Sequence, residues 1–270
     1  MRSSRALCTF LVLTVAVFLG SGVAHAQATK GTATVASYTD AYCSGFVAES
    51  PIAELGQVVG IQGGRSKNEV SVGEFVYLAG EGMRGVNLNQ EFFIVRPGER
   101  IKNIGTIYDD VAHVKIVDVR DTVLVAEITF SCNPLGVGDA VLAPEGRLQP
   151  VTPPAAPVDR FAAPRGQGQG QIIASKSHLI QLGQNLIVYL NVGAEQGIQP
   201  GNTLRVFRYA SEGSVNVFSR DIYRKYSKAY QYPREVLGEC VVLKTGKNTA
   251  TALVTQSVEE LAIGDHVELK

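Results

Sequence analysis

Short runs in which apolar and polar residues alternate make up much of the chain. Residues 114–119 read Val-Lys-Ile-Val-Asp-Val, and residues 122–128 continue the alternation after a turn at Asp121. A period of two is typical of strands that bury one face. The chain also has 28 glycines and no tryptophan, a composition that suits strands joined by tight turns. The pattern predicts an all-β fold.

The chain contains an internal repeat. Residues 75–96 align with residues 187–208 without a gap, and residues 114–141 align with residues 240–267 in the same way. Both copies carry a glycine-bearing turn and end in a Gly-Asp pair followed by a last short strand. The matched positions include Gly85 with Gly197, Arg96 with Arg208, Asp139 with Asp265, and Val114 with Cys240. The mature chain is therefore predicted to hold two copies of one unit.

The predicted organisation is a first β module at 27–143, a linker at 144–169 and a second β module at 170–270. The linker is rich in proline and ends in a Gly/Gln run, which does not favour a packed core. Several short strands in each module would expose unpaired edges unless the sheet closes or packs on another. We therefore expect each module to be a small barrel or a small sandwich.

The N-terminus is typical of a secretory signal peptide. Arg2 and Arg5 precede an apolar run over residues 6–19, and small residues lead to Ala-His-Ala at residues 24–26. A membrane anchor is the competing interpretation, but it needs a longer apolar run. We expect cleavage after Ala26, a location in the periplasm or cell envelope, and no transmembrane span in the mature chain.

Three cysteines remain after residue 26, and an oxidising compartment permits disulfides. Cys43 and Cys132 lie in polar, turn-like sequence near the two ends of the first module, so we expect them to pair. Cys240 lies in an apolar strand pattern and is expected to be buried and reduced. A catalytic thiol is the alternative for Cys240, but no neighbouring histidine or cationic cluster favours it.

Three short motifs follow one another in the second copy: Val-Tyr-Leu-Asn-Val-Gly at 188–193, Gly-Ile-Gln-Pro-Gly at 197–201 and Ile-Gly-Asp at 263–265. The first copy has Asn89 at the position of Gly201. This order of motifs resembles a β-barrel-like module of bacterial envelope proteins, found at the C-terminus of flagellar assembly protein T and after LysM domains in some secreted proteins. The resemblance implies an envelope location and a binding or scaffolding role.

Signatures of catalysis and cofactor binding are not found in the sequence. His113, His178 and His266 are far apart, and the spacing of a metal site is missing, so no metal or cofactor is expected. We expect His113 and His266 to face solvent. The Gly/Gln run at 166–170 follows a proline-rich segment rather than a strand, which rejects a dinucleotide loop. The chain is expected not to be an enzyme, with a hydrolase as the remote alternative.

One segment breaks the symmetry between the copies. Arg96 is followed by a brief predicted turn at 97–103, whereas Arg208 is followed by a long excursion over residues 209–235. Long surface insertions often carry function, and tyrosine and arginine are enriched at binding hot spots. A solvated hairpin without a partner is the alternative. The candidate binding residues are Arg220, Tyr223, Arg224, Lys225, Tyr226, Lys228, Tyr230 and Tyr232.

The sequence as a whole favours a non-enzymatic binding or scaffolding protein of the cell envelope, associated with peptidoglycan or with a protein assembly. The alternative is a structural subunit of a larger envelope assembly, of a flagellar or secretion type. The formal net charge is zero, so the chain has no strong field to attract nucleic acid, and export makes that partner unsuitable.

Overall fold

The structure is a computed structural model, and it describes residues 33–34, 36–64, 69–147, 149–152, 156–176, 178–209 and 232–270. The predicted signal peptide lies outside these residues. No helix within the described part of the chain is long and apolar enough to cross a membrane.

Strands dominate both halves of the chain, and the described residues hold one short α-helix. The first half contains β1 (Ala33–Thr34), α1 (Tyr38–Tyr42), β2 (Phe46–Ala48), β3 (Gly56–Ile61), β4 (Glu69–Val70), β5 (Phe75–Ala79), β6 (Glu91–Ile101), β7 (Gly105–Val119), β8 (Leu124–Ser131), β9 (Leu135–Gly136), β10 (Ala140–Leu142) and β11 (Val151–Thr152). The second half contains β12 (Gly170–Ser175), β13 (Gln181–Leu182), β14 (Ile187–Leu190), β15 (Thr203–Tyr209), β16 (Arg234–Thr245), β17 (Ala250–Ser257), β18 (Leu261–Ala262) and β19 (His266–Leu269).

These strands form two six-stranded antiparallel barrels of the same topology. The first barrel runs β3-β5-β8-β7-β6-β10 and closes where β10 pairs with β3, with β2 added outside on β7. The second runs β12-β14-β17-β16-β15-β19 and closes where β19 pairs with β12. Each barrel also has a two-stranded ribbon, β4 with β9 and β13 with β18. The all-β prediction is confirmed, and closure selects the barrel because it removes exposed strand edges.

The alternating pattern places apolar side chains inside each barrel. Val114 and Ile116 on β7 are fully buried, whereas Lys115 between them lies on the outer side. Cys240, which matches Val114 in the repeat, lies in the core of the second barrel. The repeat therefore determines equivalent core positions as well as equivalent strands.

Equivalent turns use residues that tolerate positive φ. Gly85 and Gly197 follow the short 3-10 turns after β5 and β14, at φ 76° and 80°. Asn89 adopts φ 66° where the second copy has Gly201 at φ 88°. Asparagine is one of the few residues besides glycine that enters this region readily, so the departure in sequence leaves the turn intact.

The two barrels share an apolar layer, which we call the interbarrel layer. It lies between the outer side of the second barrel and the α1–β2 region and β6–β7 hairpin of the first. The second barrel contributes Ile173, Ala174, Ile187, Tyr189, Val241, Leu243 and Leu253, and the first contributes Ala36, Val47, Ile101, Ile104 and Ile107. Both barrels accordingly belong to one compact unit.

Hydrogen bonds accompany this layer. The hydroxyls of Tyr189, Thr249 and Thr251 donate to the carbonyls of Ser44, Val47 and Gly45 at 3.0, 3.0 and 3.1 Å. Tyr189 is fully buried, and burial raises the pKa of its hydroxyl, which therefore stays a donor at neutral pH. An extended segment of the first module is thus bound by its backbone to the second barrel.

The β6–β7 hairpin is longer than the sequence indicated. The brief turn expected at 97–103 is wrong, because β6 continues to Ile101 and only three residues separate it from β7. Pro97 pairs with Tyr108 beside a register irregularity, which accommodates its missing N–H. The extension carries Ile101 into the interbarrel layer.

The predicted linker has contacts of its own where it is described. Val158 and Ala162 pack with Phe207 and Val236 on the second barrel. The carbonyl of Gln167 accepts a hydrogen bond from the N–H of Leu269 at 3.0 Å. This part of the predicted linker therefore lies along the second barrel.

Candidate functional site

The candidate binding residues of the excursion fall almost entirely outside the described residues. Those outside are Arg220, Tyr223, Arg224, Lys225, Tyr226, Lys228 and Tyr230, and their role stays a prediction. Tyr232 is described, and its side chain is 37% exposed. The structure describes the strand ends on the second barrel between which the excursion lies, and we call this region the base of the excursion.

Both ends of the excursion are held by paired strands. Tyr209, the last residue of β15, pairs with Arg234, the first residue of β16, and Arg208 pairs with Glu235. The excursion therefore leaves and re-enters the barrel at adjacent backbone positions. The equivalent hairpin of the first barrel, β6–β7, packs in the interbarrel layer.

An aromatic cluster forms the base of the excursion. The rings of Phe207 and His266 stack with centroids 5.4 Å apart, and Tyr209 meets both rings edge-on at 5.8 and 5.5 Å. Tyr209 is 40% exposed. His266 is half-buried, so the expectation that it faces solvent is met only in part, because the adjacent strand β15 places Phe207 beside it. The exposed ring of Tyr209 and the half-buried ring of His266 together form a surface on which a flat or ring-shaped ligand can stack.

Arg234 packs against the Phe207 ring of this cluster. Its guanidinium carbon lies 4.4 Å from the centre of the Phe207 ring, and it donates to Glu268 at 2.6 Å and to the carbonyl of Ala162 at 2.9 Å. Arg234 and Glu268 are both buried. A buried, hydrogen-bonded ion pair under an aromatic ring holds its groups in one arrangement, so the base is a rigid platform.

A second ion pair closes the barrel beside the platform. Arg208 donates through Nε and Nη2 to the two carboxylate oxygens of Asp265 at 2.6 and 2.8 Å. Arg96 and Asp139 form the same bidentate pair in the first barrel at 2.7 and 2.8 Å. The hydrogen bond that Arg96 donates to Asp139 raises the pKa of Arg96, as the one that Arg208 donates to Asp265 does for Arg208.

Sequence reasoning missed these pairs, although both partners are visible in the alignment. It interpreted the Gly-Asp motif as a turn only. The carboxylate also accepts from a backbone N–H, that of Gly136 for Asp139 and that of Ala262 for Asp265, at 2.8 and 2.7 Å. Because the pair occurs in both barrels, we assign it to closure of the barrel rather than to ligand binding.

A different aromatic cluster lies on the first barrel around His113. Its ring stacks on Phe93 at 4.2 Å and meets Tyr42 and Phe130 at 5.1 Å each, with Tyr38 at the outer side. The expectation that His113 faces solvent is wrong, because α1 covers this outer position of β7 with Tyr38 and Tyr42. Burial, then the nearby charge of Arg147, lowers the pKa of His113 to about 4 against a smaller opposing effect of Asp110.

Acidification is expected to destabilise the fold through His113. The native ring is neutral, whereas the unfolded ring binds a proton below about pH 6.5. The neutral ring thus contributes stability that is complete above that pH and is lost as the pH falls towards 4. Because the ring is only partly buried, solvent screening limits the effect to about 1–2 kcal/mol.

The measurement is urea unfolding at pH 7 and pH 4.5. In His113→Gln, the loss of unfolding free energy between these two values should be smaller than in the parent by about that amount. His178→Gln is the matched control, since the His178 side chain is 68% exposed, and it should lose as much as the parent. Equal losses in all three proteins would contradict the assignment.

The predictions for the three cysteines are confirmed. Cys43 and Cys132 form a disulfide with Cα atoms 5.4 Å apart. Cys240 is reduced and fully buried, and burial, followed by the charge of Glu239, raises the pKa of its thiol to about 12. The nucleophilic form of a cysteine is the thiolate, so this environment works against the catalytic alternative.

One cleft of about 580 Å³ opens at the end of the first barrel. It lies between the 3-10 turn Glu81–Met83 and the β7–β8 turn, and its lining includes Arg84, Arg120 and Asp121 but no histidine, cysteine or serine. Among the described residues, no group of three histidine, cysteine or acidic side chains is placed to hold a metal ion.

The second barrel closes the equivalent opening with its own β16–β17 turn. The N–H groups of Ala194 and Glu195 donate to the carbonyls of Gly246 and Lys247, each at 3.0 Å. The two barrels thus share a topology but differ at this end and in the excursion.

Comparison with protein-family models and with curated protein sequences finds no match to this chain.

Proposed function

We propose that the chain is a non-enzymatic binding or scaffolding protein of the periplasm or cell envelope. Its second barrel contacts an envelope component through the excursion at 209–235 and the platform beneath it. The observation that carries this proposal is the platform itself. Tyr209 is exposed beside His266, Tyr232 is exposed at the other end of the excursion, and the buried pair of Arg234 and Glu268 anchors the strand ends.

Peptidoglycan suits this chemistry. Aromatic faces stack on sugar rings, and guanidinium groups bind carboxylates in a bidentate manner. The platform supplies the exposed ring of Tyr209, and the sequence of the excursion adds arginine, lysine and further tyrosines. The resemblance to the module of flagellar assembly protein T and of LysM-associated secreted proteins supports the same location.

The alternative is a structural subunit of a larger envelope assembly. The observation that favours it is the binding of residues 44–47 to the second barrel. Their backbone carbonyls accept hydrogen bonds from hydroxyls on its outer side. A module that binds one extended segment in this way has the chemistry to dock protein partners.

Co-sedimentation of residues 27–270 with isolated sacculi tests the leading proposal. Pelleting at low salt should weaken as salt rises, since arginine and lysine contribute to the contact. The triple variant Tyr223→Ala, Arg224→Ala, Tyr226→Ala is expected to lower affinity at least about tenfold, which corresponds to about 1.4 kcal/mol.

Two further variants separate the site from the rest of the surface. Tyr209→Ala combined with Tyr232→Ala removes the exposed tyrosines at the two ends of the excursion and should also weaken pelleting. Tyr38→Ala is the matched control, because this tyrosine is 45% exposed and its ring contacts Tyr42 and Phe130 of the first module rather than the platform. Failure to pellet at any salt would refute the polymer contact and leave the structural-subunit alternative.

A further inference from the structure

The outer side of the second barrel that packs in the interbarrel layer, here called the covered face, can be compared through the internal repeat with the equivalent side of the first barrel. Tyr189 pairs with Ala174 and Thr251 on its two sides, and Tyr77 pairs with Gly60 and Val125 in the same register. The first-barrel positions equivalent to the second-barrel side of the interbarrel layer are Val59, Gly60, Phe75, Tyr77, Lys115, Val117 and Glu127. We call these residues the open face.

The open face is outward and largely apolar. Phe75 and Tyr77 are half-buried and alternate with the fully buried Val76 and Leu78. Val59 and Val117 are 51% and 37% exposed, although their equivalents Ile173 and Leu243 pack in the interbarrel layer. Within the described residues, none of the open-face side chains belongs to an apolar cluster. Contiguous apolar surface of this kind marks an interaction site.

Two positions differ in chemistry from the covered face. Val241 and Leu253, which are cross-strand neighbours in the second barrel, are replaced by Lys115 and Glu127. Lys115 and Glu127 are likewise directly paired across β7 and β8. The open face therefore carries one positive and one negative charge side by side within an apolar surround.

This arrangement is complementary to itself. About a twofold axis passing between the two charges, Lys115 of each copy faces Glu127 of the other. The formal net charge of the chain is zero, and residues 27–270, without Arg2 and Arg5, have 23 basic and 25 acidic residues and a charge of −2, so long-range repulsion between two copies is weak. Opposite charges at such a contact determine which partner and which register are accepted.

We propose that the open face of the first barrel binds the same face of a second copy, forming a twofold symmetric dimer. Val59, Phe75, Tyr77 and Val117 supply the apolar contact, and two Lys115–Glu127 pairs set its orientation. The inference goes beyond the proposed contact with the envelope and does not depend on it, since it uses the opposite module.

Sedimentation equilibrium of residues 27–270 tests the dimer through a charge exchange. The parent is expected to dimerise, and Lys115→Glu and Glu127→Lys should each raise the dimer Kd at least about tenfold, because each places like charges in contact. An equimolar mixture of the two variants should recover the association, since every contact is then between opposite charges. Tyr77→Ser should weaken the parent dimer, and Arg84→Glu, a charge reversal outside the open face, should not.

A parent chain that stays monomeric at hundreds of micromolar would overturn the proposal. So would a dimer that ignores both charge reversals, or a mixture that fails to recover association. Circular dichroism of each variant confirms folding before the comparison. If Tyr77→Ser abolishes pelleting with sacculi while the parent is monomeric, the open face binds the polymer instead and the dimer is refuted.

Discussion

Replacing Arg147 by methionine is expected to lower the free energy of unfolding by about 3–5 kcal/mol. Arg147 forms a bidentate pair with Asp110, with Nη2 and Oδ1 2.7 Å apart, and the two side chains are only 4% and 7% exposed. Removal of the guanidinium leaves a buried carboxylate whose described partner is the N–H of Gly45. Urea unfolding followed by circular dichroism measures the loss, since the chain has no tryptophan.

A matched exposed pair serves as the control. Arg120 and Asp118 are also in ion-pair contact, but their side chains are 70% and 41% exposed, so Arg120→Met should cost less than about 1 kcal/mol. The double variant Asp110→Leu, Arg147→Met should cost less than the sum of its single changes, because it removes both charges. Equal costs for Arg147→Met and Arg120→Met would contradict the buried-pair assignment.

Arg147 also shows where sequence reasoning reaches its limit. It lies in the proline-rich segment at 144–169, where the composition predicts a linker. Its partner Asp110 is 37 residues away on a strand, and the same guanidinium donates to the carbonyls of Ala41 and Tyr42. A contact between such distant residues leaves no periodic signal, so only the folded chain reveals it.

The barrels, by contrast, follow from local pattern. Alternation determines which residues of β7 and β8 face inward, and the gapless alignment of the copies carries the same assignment to β16 and β17. The strand register of the two barrels agrees in detail. The irregularity between Ile116 and Asp118 on β7 recurs between Val242 and Lys244 on β16. Alternation fixes the register, because a slip of one residue would turn the inward side chains outward, and closure into a barrel then removes the exposed strand edges.

Continuous apolar sequence, rather than alternation, indicates the interbarrel layer. Residues 240–243 of β16 read Cys-Val-Val-Leu and are all buried, whereas the equivalent residues 114–117 of β7 are interrupted by Lys115. A continuously apolar strand is typical of burial on both faces. The strand sequence therefore indicates that the second barrel is covered outside, but it does not identify the β6–β7 hairpin and residues 36–47 as the cover.

The candidate site was likewise predictable from the sequence only in part. Composition identified the excursion as the asymmetric element, and the described part adds a platform that composition did not suggest. Phe207, His266 and Arg234 come together only because β15 lies between β16 and β19. The chain thus offers two different surfaces, one at the excursion of the second barrel and one at the open face of the first.

Loss of the disulfide is the other large effect expected. The chain-entropy model assigns about 4 kcal/mol to a bond that closes a loop of this length, since Cys43 and Cys132 are 89 residues apart. The double variant Cys43→Ala, Cys132→Ala should lose this amount in urea unfolding under oxidising conditions. Dithiothreitol should destabilise the parent by a similar amount and leave the double variant unchanged.

The position of Cys43 makes this bond matter to both barrels. Cys43 directly follows α1, and the next residues carry the carbonyls that bind Tyr189, Thr249 and Thr251 of the second barrel. The disulfide ties this segment to the end of β8 in the first barrel. Hydrogen exchange should therefore accelerate in β14 and β17 of the double variant as well as in β2. Acceleration confined to the first barrel would show that the interbarrel layer holds the segment without help from the disulfide.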